Sequence, residues 1–243
     1  IVNTNAAYLA EKCALLGLSL YHQSVVGDNE ARMEDTIRRA LERSDVVILT
    51  GGLGPTKDDL TKEVTAKVFK KALCEDAHTK ERIMEFFQKI HNGEKITENN
   101  WKQALIPEGA IIVENQNGTA PGLIVIGDEG SGYEGKRAIL IPGPPNECIP
   151  MFETQIAPYL SDLQPEGIYS SMVKVCAIGE SRAETMVADL MDAQTNPTLA
   201  PYAKTGEVHF RVTAKAKDEE SAKCLMAPML EELKKRFGDH IYT

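Results

Sequence analysis

The apolar and polar positions near the start of the chain fall into alternating helical and strand-like patterns. Residues 3–16, 30–43 and 60–72 have the composition and apolar spacing of helices. The alternating pattern at 18–26 and the apolar run at 45–49 predict strands between them. This alternating order implies right-handed crossovers and a parallel sheet that helices cover on both faces.

The pattern continues with two helices and three short strands. Residues 76–90 and 98–105 are predicted to be helical, and the apolar runs at 111–113, 123–126 and 138–141 are predicted strands. A glycine-rich stretch joins the last two of these strands, which indicates a hairpin loop. We therefore expect a sheet with helices around it.

A domain boundary is predicted between residues 161 and 167. Pro145 suits the first turn of a helix that reaches about residue 160, and polar residues then cluster. The predicted fold class is α/β, with a three-layer, mostly parallel-sheet domain at 1–163 and a small α/β sandwich at 168–243. The second domain is predicted from a strand at 170–177, a helix at about 181–192, an alternating strand at 208–215 and a helix at 218–237.

Composition narrows the possible partners. The 243 residues carry a net charge of −9, which argues against a nucleic-acid surface. No apolar run has the length of a membrane span, so we expect neither a nucleic-acid nor a membrane partner but a small molecule. Five scattered cysteines, an odd number, indicate a reducing compartment and hence the cytoplasm. A domain of this kind should place a strand before its first helix, so we expect the natural chain to begin upstream of Ile1.

The stretch Thr50–Thr61 (TGGLGPTKDDLT) is the most informative part of the sequence. A strand that breaks into glycines and then opens a helix leaves backbone N–H groups that can bind phosphate. Gly51, Gly52 and Gly54 allow a sharp turn, and Asp58 with Asp59 offers hard oxygen ligands for a divalent cation. The alternative is structural, since glycine turns are common and either aspartate could cap the helix. Lys57 is either a mobile positive charge at the site or a solvated loop lysine.

Three segments together resemble the N-terminal half of the CinA (competence/damage-inducible) family: Thr50–Thr61, Asn117–Gly122 (NGTAPG) and Leu140–Glu147 (LIPGPPNE). The resemblance implies a molybdopterin-binding-like domain followed by a KH-like domain. It also implies the activity of metal-dependent ADP-ribose pyrophosphatases, which split ADP-ribose into AMP and ribose 5-phosphate. The amidohydrolase domain of many members has no counterpart in this sequence, so amidase activity is not expected of this chain.

The resemblance also implies residue roles. It places Asp59 where related molybdopterin-adenylating enzymes keep an essential aspartate, and Asp28 at their second acidic position. The expected catalytic residues are Asp59, Asp28 and Lys57, and the expected metal ligands are Asp58, Asp59 and Glu147. Two alternatives stay open: Asp28 could cap the helix that starts at residue 30, and Glu147 could complement the dipole of its own helix.

The expected substrate-binding residues surround these acids. For Lys204 and Arg211, the two basic residues of this set from the second domain, a surface-charge role is the alternative. The KH-like label does not imply RNA binding, because the Gly-x-x-Gly clamp is absent. The set consists of Asn5, Gly51, Gly52, Gly54, Thr56, Gly118, Thr119, Gly143, Pro144, Lys204 and Arg211.

The function expected from these observations is hydrolysis of a phosphoanhydride in NAD-metabolite recycling. The expected cofactor is a divalent metal ion of open identity, with a monovalent cation as a further candidate, and a homodimer is expected from the resemblance. The alternatives are a non-catalytic module that binds a pterin or nucleotide, a partner protein in competence or DNA-damage responses, and transfer of an adenylyl group to a pterin.

Overall fold

The computed structural model describes residues 2–90, 96–163, 167–204 and 206–242, and these form two compact units. Part of the predicted domain boundary, residues 164–166, lies outside the described residues. The helices in the described ranges include none that is long and apolar enough to cross a membrane.

The two units differ from a simple division of the chain at one point. The first unit consists of Ile1–Glu11 and Leu20–Tyr159, and the second of Lys12–Ser19 and Leu160–Thr243. The second unit therefore includes Lys12–Ser19, which a contiguous first domain of 1–163 would assign to the first unit.

The sheet of the first unit is mixed. Strand β1 (Val46–Thr50) pairs in parallel with β6 (Arg137–Ile141). Strand β6 pairs antiparallel with β5 (Gly122–Ile126), which pairs antiparallel with β4 (Ile111–Val113). The α/β class is confirmed, but the expectation of a mostly parallel sheet is wrong for these four strands. The loop between β5 and β6 is too short for a crossover, so it can join only antiparallel strands.

The predicted strand at 18–26 is not formed. These residues have no regular secondary structure, and Tyr21 and Val25 are 83% and 87% exposed. A strand needs a neighbour to satisfy its backbone groups, and no strand of the described residues pairs with this segment. The alternating pattern therefore faces solvent.

The helices of the first unit follow the predictions closely. A two-stranded antiparallel ladder, β2 with β3, was not predicted, because strands of three residues show no period. The remaining elements are α1 (Thr4–Leu15), α2 (Glu30–Arg43), α3 (Thr61–Val68), β2 (Leu73–Glu75), α4 (Ala77–Ile90), a 3₁₀ helix (Glu98–Ala104), β3 (Leu105–Pro107), α5 (Pro145–Met151), a π-helical turn (Phe152–Ile156) and α6 (Ala157–Asp162).

Apolar side chains of α2, α3 and the sheet form the core of this unit. Leu41, Val68, Leu123 and Leu140 are fully buried there. Such burial contributes about 1.5–3 kcal/mol for each large side chain. This packing fixes the end of β1 and the start of α3, the two elements that flank the glycine segment.

The second unit is a small α/β sandwich, as predicted. Its three strands form an antiparallel sheet in which β9 (Glu207–Ala216) lies between β7 (Gly167–Cys176) and β8 (Thr198–Lys204). The predicted helix near 181–192 is divided into two. Its elements are β7 (Gly167–Cys176), α7 (Glu180–Thr185), α8 (Ala188–Ala193), β8 (Thr198–Lys204), β9 (Glu207–Ala216), α9 (Glu219–Phe237) and a 3₁₀ helix (Gly238–His240).

Strand β9 shows why this unit is predictable. Val208, Phe210 and Val212 are buried while the residues between them are partly exposed, which is the alternation of a sheet with one covered face. Phe210 stacks on Phe237 of α9 with 5.0 Å between ring centroids. Asp218 caps α9 by accepting a hydrogen bond from the N–H of Ser221.

Candidate functional site

An acidic turn, residues 56–59, follows β1 and the glycine segment. The N–H of Thr56 donates to Asp59 Oδ2 at 2.9 Å. The Thr56 hydroxyl lies 2.5 Å from Asp58 Oδ1 and 2.5 Å from Asp59 Oδ2. Because a hydroxyl has one proton, it can donate to only one carboxylate at a time. The turn therefore brings two carboxylates together around one shared donor.

The environment of the acidic turn favours the ionised form of Asp58. The hydrogen bond from Thr56 lowers the pKa of Asp58, with smaller contributions from a backbone hydrogen bond and from the positive charge of Lys102. Asp58 is exposed and Asp59 is half-buried. Ionised carboxylate oxygens that stay open to solvent are the ligands that Mg²⁺ and similar hard cations prefer.

Neither Asp58 nor Asp59 caps the following helix, which was the structural alternative to metal binding. Leu60 is the N-cap residue of α3, and no side chain caps this helix. The alternative that Asp58 or Asp59 serves as a helix cap is therefore wrong. Within the described residues, the side chains of both aspartates instead accept hydrogen bonds from Thr56.

Two glycines allow the acidic turn to fold back on its own chain. A Cβ at Gly54 would lie 2.5 Å from Asp59 Oδ2, and one at Gly52 would lie 2.2 Å from Thr61 Oγ1. Gly52 also has φ of +69°, a conformation that side chains disfavour. Close approach of the backbone to Asp59 explains Gly54, and close approach to Thr61 at the start of α3 explains Gly52.

Gly51 does not have the predicted free donor. Its N–H donates to the carbonyl of Ile141 at 2.9 Å, so the expectation that it cradles a phosphate is wrong. The bond extends the β1–β6 pairing by one residue. A Cβ at Gly143 would lie 3.5 Å from Gly51 Cα, and Asn5 Nδ2 donates to the Gly143 carbonyl at 2.7 Å. Asn5, Gly51 and Gly143 are thus brought together.

A second acidic region surrounds Gly118. The buried Asn115 donates through Nδ2 to Glu147 Oε2 at 2.6 Å and to the carbonyl of Ala120 at 2.8 Å. A Cβ at Gly118 would lie 2.2 Å from Glu147 Oε2. Thr119 lines a cleft of about 70 Å³ beside this loop. Asn115 was not among the predicted residues.

Pro144 and Glu147 begin helix α5. The Pro144 carbonyl accepts hydrogen bonds from the N–H groups of Glu147 and Cys148, both at 2.9 Å. Pro145 occupies the first turn, as predicted. Glu147 lies in that first turn, where a negative charge complements the helix dipole. Glu147 therefore has the dipole-complementing position that was its alternative role.

The predicted set of metal ligands does not converge. Among the described residues, no three His, Cys, Asp or Glu side chains form a group that could hold an ion. Glu147 is held by Asn115, and so the expectation that it joins Asp58 and Asp59 as a third ligand is wrong. The two aspartates still fit a magnesium-type site, in which one or two carboxylates bind the ion and substrate phosphates and water complete its coordination.

Asp28 and Lys57 are both exposed, and neither makes a hydrogen bond or ion pair within the described ranges. Asn29 rather than Asp28 caps α2, since Asn29 Oδ1 accepts from the N–H of Arg32 at 3.1 Å. The alternative of a capping role for Asp28 is therefore wrong, and its role as a base stays a prediction.

Lys204 and Arg211 belong to the second unit. Lys204 is exposed at the end of β8. The Arg211 guanidinium lies 4.9 Å from the centroid of the Tyr202 ring, which is a cation–π contact. Their role in substrate binding stays a prediction.

Polar residues behind the acidic turn were missed in the sequence. Lys102 Nζ donates to the carbonyls of Thr56, at 3.0 Å, and Asp59. Lys62 is only 5% exposed, donates to the Lys102 carbonyl, and burial lowers its pKa to about 8. No motif marks these lysines, because their burial depends on partners about 40 residues away in the chain.

Comparison with known proteins covers both units. Residues 1–162 match the family model of a probable molybdopterin binding domain, and residues 170–243 match that of the damage-inducible protein CinA KH domain. CinA-like proteins of Dictyoglomus turgidum and Dictyoglomus thermophilum are both 50% identical over 242 residues. These alignments span all of this chain but 57% of each relative.

A solved structure is similar as well. The crystal structure of CinA from Thermoplasma acidophilum, a protein described as of unknown function, is 35% identical with a TM-score of 0.54. The similarity covers 64% of this chain and 86% of that one. Together with the two domain matches, this similarity shows that the chain belongs to the CinA family.

Proposed function

We propose that the first unit is a divalent-metal-dependent hydrolase that splits the pyrophosphate bond of ADP-ribose into AMP and ribose 5-phosphate. The observation that carries this proposal is the acidic turn, where Asp58 and Asp59 share the Thr56 hydroxyl. The turn follows the carboxyl end of β1, the place where open α/β sheets bind their ligands.

Asp58 and Asp59 would hold the divalent ion. When bound, such an ion lowers the pKa of a water molecule and neutralises charge on the pyrophosphate oxygens. A carboxylate must be ionised to bind a cation, and the lowered pKa of Asp58 extends its ionised range further toward acidic pH.

The other residues would bind and orient the substrate. Lys57, exposed beside the acids, would place its ammonium near a phosphate oxygen, and Asp28 would accept a proton from the attacking water. The loop around Gly118 and Thr119 would form the wall that contacts the sugar or base.

The cellular setting is part of the same proposal. A scattered, odd number of cysteines, none of them in a disulfide among the described residues, supports a cytoplasmic protein. We propose a homodimer that recycles an NAD metabolite, on the basis of the family alone.

The test is release of AMP from ADP-ribose with and without Mg²⁺ or Mn²⁺, followed by chromatography. AMP that appears only with the divalent ion supports the proposal. A protein that binds ADP-ribose but releases no AMP under either condition would instead be a binding module. Consumption of a nucleotide only in the presence of a pterin would indicate adenylyl transfer.

A further inference from the structure

The acidic turn is held from behind by a lysine of the 3₁₀ helix. Lys102 Nζ donates to the Thr56 carbonyl at 3.0 Å and to the Asp59 carbonyl. These two carbonyls belong to the first and last residues of the turn. One ammonium therefore joins both ends of the turn that carries the two carboxylates.

The same ammonium is part of a polar cluster under the turn. Lys102 Nζ lies 3.7 Å from Glu63 Oε1, and Lys62 Nζ lies 3.9 Å from the same oxygen. Lys62 also donates to the Lys102 carbonyl, which ties the 3₁₀ helix to α3. Two positive charges thus share one carboxylate, and the excess positive charge lies beneath Asp58 and Asp59.

We propose that Lys102 is a positioning residue that keeps Asp58 and Asp59 aimed at one cation by clamping the Thr56 and Asp59 carbonyls. This inference rests on the proposed metal-dependent hydrolysis for its effect on turnover, but the clamp itself can be tested without any turnover.

Lys102 can stabilise the turn in two ways. First, two carboxylates around one hydroxyl repel each other, and a positive charge nearby reduces that repulsion. Second, charge-assisted hydrogen bonds to carbonyls are stronger than neutral ones, so they restrict the turn to one conformation. Side chains that orient metal ligands in this way typically change metal affinity or activity on the order of 10-fold to 100-fold when removed.

Lys102 acts through the backbone of the turn and not through contact with a ligand. Its side chain is 24% exposed, and its ammonium donates to carbonyl oxygens. A substitution should therefore lower cation affinity and kcat while KM for ADP-ribose changes little.

Lys102→Met is the main variant, because methionine keeps the apolar stem and removes the charge and donors. Lys102→Arg restores charged donors, and Lys102→Gln gives a shorter, neutral donor in case the methionine variant does not fold. Lys70→Met is the matched control, since Lys70 is an exposed lysine of the same unit whose ammonium makes one long contact, 3.4 Å from the Gly130 carbonyl.

Three measurements are made on each variant: amide hydrogen exchange of a peptide covering the acidic turn, affinity for Mn²⁺, and kcat with KM for ADP-ribose. In Lys102→Met we expect faster exchange at Thr56 and Asp59, whose N–H groups bond within the turn. We also expect weaker Mn²⁺ binding and a loss of kcat on the order of 10-fold to 100-fold. Lys102→Arg should recover part of each loss, and strands β5 and β6 should exchange at the original rate.

The two proposals fail in different ways. If the unaltered protein releases no AMP, the hydrolase proposal is wrong, while exchange and Mn²⁺ binding still decide the role of Lys102. The positioning role is wrong if Lys102→Met and Lys70→Met show the same hydrogen exchange at the turn, the same Mn²⁺ affinity and the same kcat. If Lys102→Met does not fold, Lys102→Gln takes its place in this comparison.

Discussion

The acidic turn at residues 56–59 and the loop around Gly118 both fix a carboxylate, but different groups hold it. In the turn, the Thr56 hydroxyl is shared between Asp58 and Asp59, the Thr56 N–H donates to Asp59 alone, and Asp58 is exposed. In the loop, the buried amide of Asn115 uses both of its N–H groups, one on Glu147 and one on a carbonyl.

This difference assigns cation binding to the acidic turn and the shape of the site to the loop around Gly118. Carboxylates that share one donor keep most of their lone pairs for a cation, so the turn can bind a metal ion. A carboxylate anchored by a buried, fully used amide instead fixes the backbone around it. We therefore expect changes in the turn to alter turnover and changes in the loop to alter substrate affinity and stability.

Asp59→Asn is the largest expected effect. The substitution keeps the shape of the side chain but removes the charge that would bind the cation. We expect kcat for AMP release to fall on the order of 100-fold to 1,000-fold, comparable to the loss of a group that stabilises charge in a transition state. Affinity for ADP-ribose, measured by calorimetry, should remain detectable.

Glu108→Gln is the matched control for Asp59→Asn. Glu108 is an exposed acid of the same unit, and within the described residues its side chain makes no hydrogen bond or ion pair. Its kcat should equal that of the unaltered protein. Equal rates for Asp59→Asn and Glu108→Gln would rule out a role of the acidic turn in the chemistry.

Lys62→Met tests the polar cluster under the turn. Burial lowers the pKa of Lys62 from 10.5 to about 8 in the folded protein. Between these two values the unfolded chain binds more protons than the folded one, so the free energy of unfolding rises with pH. This contribution is complete above 10.5 and is lost as the pH falls through about 8. At about 1.4 kcal/mol per pKa unit, it amounts to about 3 kcal/mol.

The measurement is urea unfolding of both proteins across this pH range. The free energy of unfolding of the unaltered protein should rise by about 3 kcal/mol relative to Lys62→Met between the two pKa values. Lys70→Met should give a curve parallel to that of the unaltered protein, because Lys70 is exposed. If the Lys62→Met curve is parallel as well, Lys62 is not buried as a charged group.

The sequence was sufficient where the interactions are local in the chain. Helix α2 and strand β9 have strong periods, and their positions were predicted within a residue or two. The position of Asp58 and Asp59 shortly after β1 and the glycines was also predicted, whereas their hydrogen bonds to Thr56 were not. The segment 18–26 failed because an alternating pattern shows that a strand is possible but not that a neighbouring strand exists.

The sequence was not sufficient where partners are distant. Lys102 reaches Asp59 across 43 positions, and Asn115 reaches Glu147 across 32. Neither lysine nor asparagine is expected to be buried, so nothing in a single sequence marks these two residues. Gly51 failed for the same reason, because its N–H bonds to Ile141 on a strand far along the chain.

Gly118→Ala tests the expectation that the loop around Gly118 determines substrate affinity and stability. The new Cβ would lie 2.2 Å from Glu147 Oε2 and 2.8 Å from Asn115 Nδ2, so the bond between these side chains must break or the loop must move. We expect a destabilisation of about 1–3 kcal/mol, as for other overpacked sites, together with a higher KM for ADP-ribose and little change in kcat.

Gly179→Ala is the matched control for Gly118→Ala, because a Cβ there meets nothing within 4 Å and its φ is negative. Thermal unfolding and steady-state kinetics of both variants decide the matter. A loss of kcat in Gly118→Ala with an unchanged KM would contradict the assignment of this loop to substrate shape.

Thr56→Val gives the smallest expected effect and bears on the acidic turn alone. The Thr56 hydroxyl is the main cause of the lowered pKa of Asp58, and valine removes it while keeping the backbone N–H that bonds Asp59. The pKa of Asp58 should therefore rise toward its ordinary value, as measured by carboxyl NMR titration, and Thr56→Ser should keep it low. Because a carboxylate of higher pKa loses its charge sooner as the pH falls, Mn²⁺ binding by Thr56→Val should weaken at a higher pH than in the unaltered protein. If the pKa of Asp58 is the same in the valine and serine variants, the hydroxyl does not hold the two carboxylates, and the contrast with the Asn115 loop is lost.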